Sequence, residues 1–118
     1  MKYIVIDALL NGTGIRDKYE GGYIEPCSLG LSSATIIRLN DWLSEYWKEH
    51  DNGYIDSAII DMLDQKGLEI AMRIKKELPE MNVEYFSDAR MVPVLKMSCF
   101  YRLDILKCFL TFVGYILN

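Results

Sequence analysis

The chain has 118 residues, 51% of them hydrophobic, and its 13 basic and 17 acidic residues give a formal net charge of -4. This length is enough for one domain with a single core and too short for two. The acidic balance disfavours direct nucleic-acid binding, which depends on neutralising phosphates, and it is compatible with a basic protein partner. We therefore predict a single domain over residues 1–118 that does not bind nucleic acid directly.

The cysteines Cys27, Cys99 and Cys108 are widely spaced and include no CxxC pair, and His50 is the only histidine. This pattern argues against a disulfide framework and a structural zinc site, so no metal and no cofactor are predicted. The amino-terminal segment has a short apolar run broken by Asp7 and lacks a small-residue cleavage site, unlike a secretory signal. These features predict a reducing, cytoplasmic location.

The apolar segment Tyr3 to Leu10 predicts a buried first strand. The following segment, 11–32, contains five of the eight glycines and is interpreted as an ordered loop that is neither helix nor strand. Within it, Gly12-Thr13-Gly14 suggests a phosphate loop but lacks the lysine of a P-loop and the third glycine of a dinucleotide fingerprint. We interpret these glycines as residues that the backbone geometry requires.

A first helix is predicted from Ser32 or Ser33, either of which is a suitable N-cap, to about His50. Its apolar residues recur at steps of three and four, which predicts one buried face. A glycine that can adopt a left-handed conformation, Gly53, follows the predicted end of this helix.

A second helix is predicted to begin at the capping residue Asp56 and to end before Leu78-Pro79. Gly67 permits two interpretations: one long helix with a close contact at the glycine, or a fresh helix that Asp64 caps. We favour the fresh helix, because glycine in a helix interior costs about 1 kcal/mol relative to alanine.

The alternating segment Asn82 to Phe86 predicts a half-buried strand, and Met91 to Met97 predicts another, which Pro93 places at an edge of the sheet. The predicted fold class is therefore α/β (α+β), with a short sheet, two to three helices and an apolar C-terminal segment. Within the single domain, residues 1–91 are its main part, and residues 92–118 are its apolar C-terminal extension.

The apolar extension has no charged residue from Cys108 to Leu117. A membrane-spanning helix needs about 20 predominantly apolar residues, and Arg102, Asp104 and Lys107 interrupt the run. We expect a buried final helix or strand and no membrane insertion, with a homodimer contact through this segment as the alternative.

Tyrosine, tryptophan and acidic residues are concentrated in the loop and the first helix, and aromatic residues often dominate protein-binding surfaces. His50 is interpreted as a helix-terminal residue, and Asp56, Asp61 and Asp64 as capping or solvated residues rather than a cation site. No arrangement of side chains indicates catalysis, so an enzyme is not predicted. The predicted partner-binding residues are Arg16, Asp17, Tyr19, Glu20, Tyr23, Asp41, Trp42, Glu45, Trp47 and Glu49.

Four segments within residues 1–91 resemble, in this order, small bacterial immunity proteins of polymorphic and contact-dependent growth-inhibition toxin systems: NGTGIRDKYEGGYIEPCSLGLS, LNDWLSEYWKEH, LDQKGLEIAMRIKKELP and VEYFSDARM. The resemblance implies a cytoplasmic inhibitor that binds a cognate toxin domain, often a nuclease, and it implies no catalytic residues. Residues after Met91 depart from the pattern.

The alternative function is a small enzyme or ligand-binding domain that holds an anionic metabolite with the loop, Arg16 and Asp17. A deep pocket lined by the loop, with Asp17 or His50 at its floor, would favour this alternative. A convex acidic surface would favour the inhibitor.

Overall fold

A computed structural model describes residues 3–97 of the chain. Over these residues the backbone forms one mixed sheet, two long α-helices and a short 3-10 helix. In chain order the elements are β1 (Tyr3–Ile6), β2 (Ile15–Asp17), the 3-10 helix (Pro26–Leu29), α1 (Ser33–Asp51), α2 (Ser57–Glu77), β3 (Asn82–Ser87) and β4 (Val92–Met97). The predicted α/β (α+β) class is confirmed.

The strands lie in the order β2-β1-β3-β4. β1 and β3 pair in parallel at the centre, with Ile4 beside Val83 and Ile6 beside Tyr85. β2 and β4 pair antiparallel at the two edges. Parallel neighbours need a crossover connection, and both helices lie in the connection between β1 and β3.

The hydrophobic core forms where α1 packs on α2 and α2 packs on β3. Trp42 and Tyr46 of α1 are buried in it with their rings edge to face, at a centroid distance of 5.5 Å. The Trp42 indole donates a hydrogen bond of 2.9 Å to the Leu63 carbonyl of α2. A buried tryptophan needs such a partner, so this bond fixes the two helices together.

The boundaries of α1 agree with the prediction. Ser32 is its N-cap, and the Ser32 hydroxyl accepts a hydrogen bond of 3.2 Å from the Thr35 amide. The helix ends at Asp51, and Gly53 follows with a φ of 82°. The cap and the left-handed glycine are local signals, which is why the sequence shows them.

Both predicted C-terminal strands are also confirmed. β3 extends one residue beyond the predicted Phe86, and β4 lies at the sheet edge as Pro93 indicated. The pairing of β3 with β4 shifts between Tyr85 and Phe86, and Pro93 lies opposite Phe86. A residue without an N–H is tolerated at such an irregular edge.

The prediction that residues 11–32 contain neither helix nor strand is wrong, because they include both β2 and the 3-10 helix. Residues 15–17 form β2, in which Ile15 pairs with Ile6 and Asp17 pairs with Ile4. β1 also ends at Ile6, before the predicted Leu10. A three-residue strand is too short to show alternation in the sequence, and only its pairing with β1 defines it.

The preference for a fresh helix at Asp64 is also wrong, because α2 is continuous from its N-cap Asp56 to Glu77. Gly67 is buried against the ring of Tyr85 on β3. A Cβ atom at residue 67 would lie 2.6 Å from both Cζ and Oη of Tyr85. The glycine therefore permits a close approach of helix and sheet, which was the interpretation not favoured.

The apolar extension is described only in part. Residues 92–97 form β4 and belong to the sheet. Residues 98–118 lie outside the described part of the chain, and so do the predictions of a final helix or strand and of a homodimer contact.

Candidate functional site

Packing explains two glycines of the loop, Gly12 and Gly14. A Cβ at Gly12 would lie 2.7 Å from the Tyr23 ring, and one at Gly14 would lie 2.7 Å from the Leu39 side chain. Gly14 also has a φ of 91°, which disfavours other residues. Thr13, between them, donates a hydrogen bond of 2.6 Å to the Ile24 carbonyl. These contacts close the loop on itself and on α1.

Arg16 and Tyr23 of the predicted surface are held by Asp7, which follows β1. The Arg16 Nε donates to Asp7 Oδ2 at 2.9 Å, and the Tyr23 hydroxyl donates to Asp7 Oδ1 at 2.8 Å. Burial opposes the Arg16 charge, but the hydrogen bond and the charge of Asp7 outweigh it and raise the pKa of Arg16. Burial, reinforced by the bond to Asp7, raises the pKa of Tyr23. Both side chains therefore stabilise the loop.

Asp17, Tyr19 and Glu20 form the tip of a hairpin. Asp17 Oδ1 accepts hydrogen bonds from the amides of Tyr19 at 2.9 Å and Glu20 at 3.0 Å, and these bonds lower the pKa of Asp17. The Tyr19 side chain is 77% exposed and contacts Tyr3 at the start of β1 with a ring distance of 5.8 Å. Tyr19 and Glu20 are thus presented to solvent, whereas Asp17 shapes the turn.

The predicted residues of α1 do not share one environment. Asp41 is exposed, and Glu45 is partly exposed and paired with Lys66 of α2 at 2.9 Å. The prediction that Trp42 and Glu49 belong to an exposed surface is wrong, because they are only 2% and 6% exposed. The helical pattern turns Trp42 towards the core, where its size is best accommodated.

Trp47 lies at the junction of α1 and the loop. Its indole donates a hydrogen bond of 3.0 Å to the Ala8 carbonyl, which follows β1. Tyr19 packs at the start of β1 instead, so the structure places the hairpin tip and Trp47 at opposite ends of this strand. The predicted residues consequently form two separate regions.

A groove of about 390 Å³ lies between the loop and α1. We call it the loop–α1 groove. The residues of α1 that line it recur at steps of three and four, so they share one face of the helix. The opposite wall is formed by the loop and the 3-10 helix. The residues that line it are Gly12, Thr13, Glu25, Pro26, Cys27, Ile36, Asn40, Leu43, Ser44 and Trp47.

The loop–α1 groove combines an apolar wall with one carboxylate. Ile36, Leu43 and Trp47 supply apolar surface, and among residues 3–97 Glu25 is the only charged residue in the lining, which includes no basic one. Neither Asp17 nor His50 lines it. Of the predicted binding residues, only Trp47 does.

Exposed apolar side chains adjoin the lining residues of this groove along the chain. The turn closed by the bond of 2.9 Å from the Gly12 amide to the Leu9 carbonyl exposes Leu9 and Leu10. On α1, Ile37 follows the lining residue Ile36 and is 59% exposed. The sequence analysis missed this set, because nothing in the sequence places the loop against that side of the helix.

Asp56, Asp61 and Asp64, which the sequence analysis weighed as a cation site, cap a helix or form ion pairs and hydrogen bonds within the protein. Asp56 caps α2 by accepting from the Ala58 amide at 3.0 Å, and Asp61 pairs with Arg90. Buried Asp64 accepts from Arg90 at 2.6 Å and from three hydroxyl groups, at distances of 2.7–2.9 Å. Within residues 3–97 no group of acidic, histidine or cysteine side chains is arranged to hold a metal ion.

Asp88 lies directly after β3. Among the carboxylates of residues 3–97, it is the one whose pKa is strongly raised. Burial raises the pKa of Asp88 to about 6, and the charge of Asp7 adds to this effect. His50 and Arg16 lower the pKa of Asp88, and Asp64 raises it. His50 lies in the last turn of α1, as predicted. Asp88 is therefore a pH-sensitive element of the fold.

The fold and the groove define the class of this protein: a small α+β domain that presents an open, mixed apolar and acidic surface beside its first helix. No protein-family model matches the chain, and no curated protein and no solved structure matches it. None of the helices between residues 3 and 97 has the length and apolar character needed to cross a bilayer.

Proposed function

We propose that this protein is an immunity protein, which binds a cognate bacterial toxin domain in the cytoplasm and neutralises it without catalysis. The observation that carries the proposal is the loop–α1 groove with exposed apolar side chains beside it. Protein-binding surfaces combine a few large apolar anchors with a polar rim, and this region has both.

The charge of the region favours a basic partner. Glu25 lines the groove, Asp41 is exposed on the same helix as its apolar wall, and the whole chain carries a net charge of -4. A basic nuclease domain would be complementary to this charge and would associate faster for that reason. The resemblance of residues 1–91 to immunity proteins also favours a toxin domain as the partner.

The alternative, an anionic metabolite held by the loop, receives less support. Arg16 is committed to Asp7 at 2.9 Å, and Asp17 accepts the amides of its own turn. The groove next to the loop is lined, within the described part of the chain, by one carboxylate and no basic residue. An anion would therefore meet unfavourable charge at the site where the loop offers space.

Co-expression tests the proposal directly. The protein is co-purified with the product of the neighbouring open reading frame, and cells that express this product are scored for survival with and without the protein. We expect a stable complex and full protection. Absence of both complex and protection would reject the immunity function.

Two matched variants locate the surface. Ile37→Asp places a charge on the exposed apolar residue beside the groove, and Met62→Asp places the same charge at an exposed position of α2. An anchor residue contributes about 2 kcal/mol or more to binding, so Ile37→Asp should weaken the complex by roughly thirtyfold. Met62→Asp should leave it unchanged. Equal effects of the two variants would show that the surface beside the groove is not the interface.

A further inference from the structure

The chemistry of the loop–α1 groove identifies a kind of side chain that it can receive. One wall is apolar and includes the indole of Trp47 and the side chain of Leu43, and Glu25 contributes a carboxylate to the lining. Glu25 is exposed and makes no ion pair with any residue from 3 to 97. The groove therefore offers a negative charge that no described residue compensates, together with an aromatic surface.

Neutral polar groups complete the lining. Asn40 and Ser44, one turn apart on α1, each carry a side-chain oxygen that can accept a hydrogen bond. The volume of about 390 Å³ lies at the lower end of the range for ligand sites, about 300–1,000 Å³. It suits one long side chain from a partner rather than a cofactor.

We propose that the loop–α1 groove receives an arginine side chain of the toxin domain, whose guanidinium group pairs with Glu25 while its stem packs on Trp47. This inference rests on the proposed function and names the chemistry of the partner. Arginine fits better than lysine because its planar group stacks on tryptophan, is weakly hydrated and donates up to five hydrogen bonds. Asn40 and Ser44 accept the donors that Glu25 leaves free.

Small arginine analogues test, without the toxin, whether the groove prefers a guanidinium group. The full chain is labelled with nitrogen-15 and titrated with N-acetyl-arginine amide and with the citrulline analogue, which has the same shape and no charge. The indole signal of Trp47 reports on the groove, and that of buried Trp42 serves as an internal control. We expect selective shifts at Trp47 and an affinity for arginine about twofold to fivefold above that for citrulline, as for an exposed ion pair.

Variants connect this preference to the proposed contact. Glu25→Gln should reduce the arginine affinity to the citrulline level, whereas Glu80→Gln, at an exposed position before β3, should not change it. Equal affinities for arginine and citrulline, or no shift of Trp47 at the solubility limit of the probe, would overturn the proposal. A stronger response to N-acetyl-lysine amide would overturn the assignment to arginine.

The same variants in the toxin complex separate this inference from the proposed function. Removal of one partner of a charge pair that is buried in an interface costs about 2 kcal/mol or more, so Glu25→Gln should weaken the complex by roughly thirtyfold or more. A wild-type chain that binds no toxin would refute the function, whatever the probes show. A complex that forms equally well with Glu25→Gln would leave the function intact and refute the arginine contact.

Discussion

Replacement of Gly67 by alanine tests the packing that joins α2 to the sheet. An alanine is normally a better helix residue and would stabilise an exposed helix by about 1 kcal/mol. Here its methyl group would lie 2.6 Å from both Cζ and Oη of Tyr85, well inside van der Waals contact. Tyr85 is fully buried and its hydroxyl donates to Asp64 at 2.7 Å, so the ring has little freedom to move.

The magnitude follows from these opposing effects. Overpacking of a core typically costs about 1–3 kcal/mol. A shift of the ring that breaks the bond from Tyr85 to the Asp64 carboxylate costs about 1.5–3 kcal/mol more. After the gain in helix propensity, we expect Gly67→Ala to lower the free energy of unfolding by about 1.5–5 kcal/mol.

Urea denaturation followed by circular dichroism measures this change. Gly22→Ala is a suitable control, because nothing lies within 4 Å of a Cβ at Gly22 and its φ is not positive. It should be neutral or slightly stabilising. In a Tyr85→Leu background the cost of Gly67→Ala should shrink, as expected for two residues in contact. An equal or greater stability of Gly67→Ala in the wild-type background would refute the close contact.

Three further predictions concern stability. Asp64→Ala should lower the free energy of unfolding by about 3–5 kcal/mol, because it leaves several buried donors without an acceptor; a loss below about 1 kcal/mol would contradict this. The pKa of Asp88 is raised from the ordinary aspartate value of 3.8 to about 6 in the folded protein, so the folded state binds more protons in that window and its stability falls as the pH rises. Asp88→Asn should therefore stabilise the protein by about 1 kcal/mol at mildly alkaline pH, after allowance for partial exposure, and the gain should vanish towards pH 3.8; a gain independent of pH would contradict the burial effect. Ser32→Ala removes the N-cap of α1 and a bond of 3.0 Å to Glu77, and should cost about 1–2 kcal/mol in thermal or urea unfolding, whereas Ser33→Ala should be nearly neutral.

Glu77 illustrates how the two helices are joined at that end. Burial opposes its charge, but hydrogen bonds from Thr35 and from the amide and hydroxyl of Ser32 outweigh burial, so the pKa of Glu77 is lowered. The contribution of Glu77 to stability is therefore present above its unfolded pKa and lost as the pH falls through its folded pKa. Below that range, Ser32→Ala should lose less stability than at neutral pH.

Local signals in the sequence predicted much of the fold. Ser32 marked the start of α1, Leu78-Pro79 marked the end of α2, and the alternation of Val83 and Tyr85 marked β3. Each of these signals acts within a few residues. They are independent of how the elements later pack.

Features that depend on tertiary contacts were missed. β2 exists only through its pairing with β1, and the role of Gly67 depends on a ring 18 positions later in the chain, that of Tyr85. Trp42 and Trp47 look alike in the sequence, yet only Trp47 lines the groove, because the position of the loop decides which side of α1 is covered. The candidate site could therefore be assigned to the loop and the first helix, but its lining could not.

The most direct test of the account is a titration of the purified toxin domain with this protein. An immunity protein that occupies one surface of the toxin should abolish its activity at one equivalent, with a linear decrease up to that point and full recovery of both proteins from the complex. Loss of toxin activity at substoichiometric amounts, increasing with time, would instead indicate enzymatic turnover. Unchanged activity at an excess of this protein would contradict the proposed function itself.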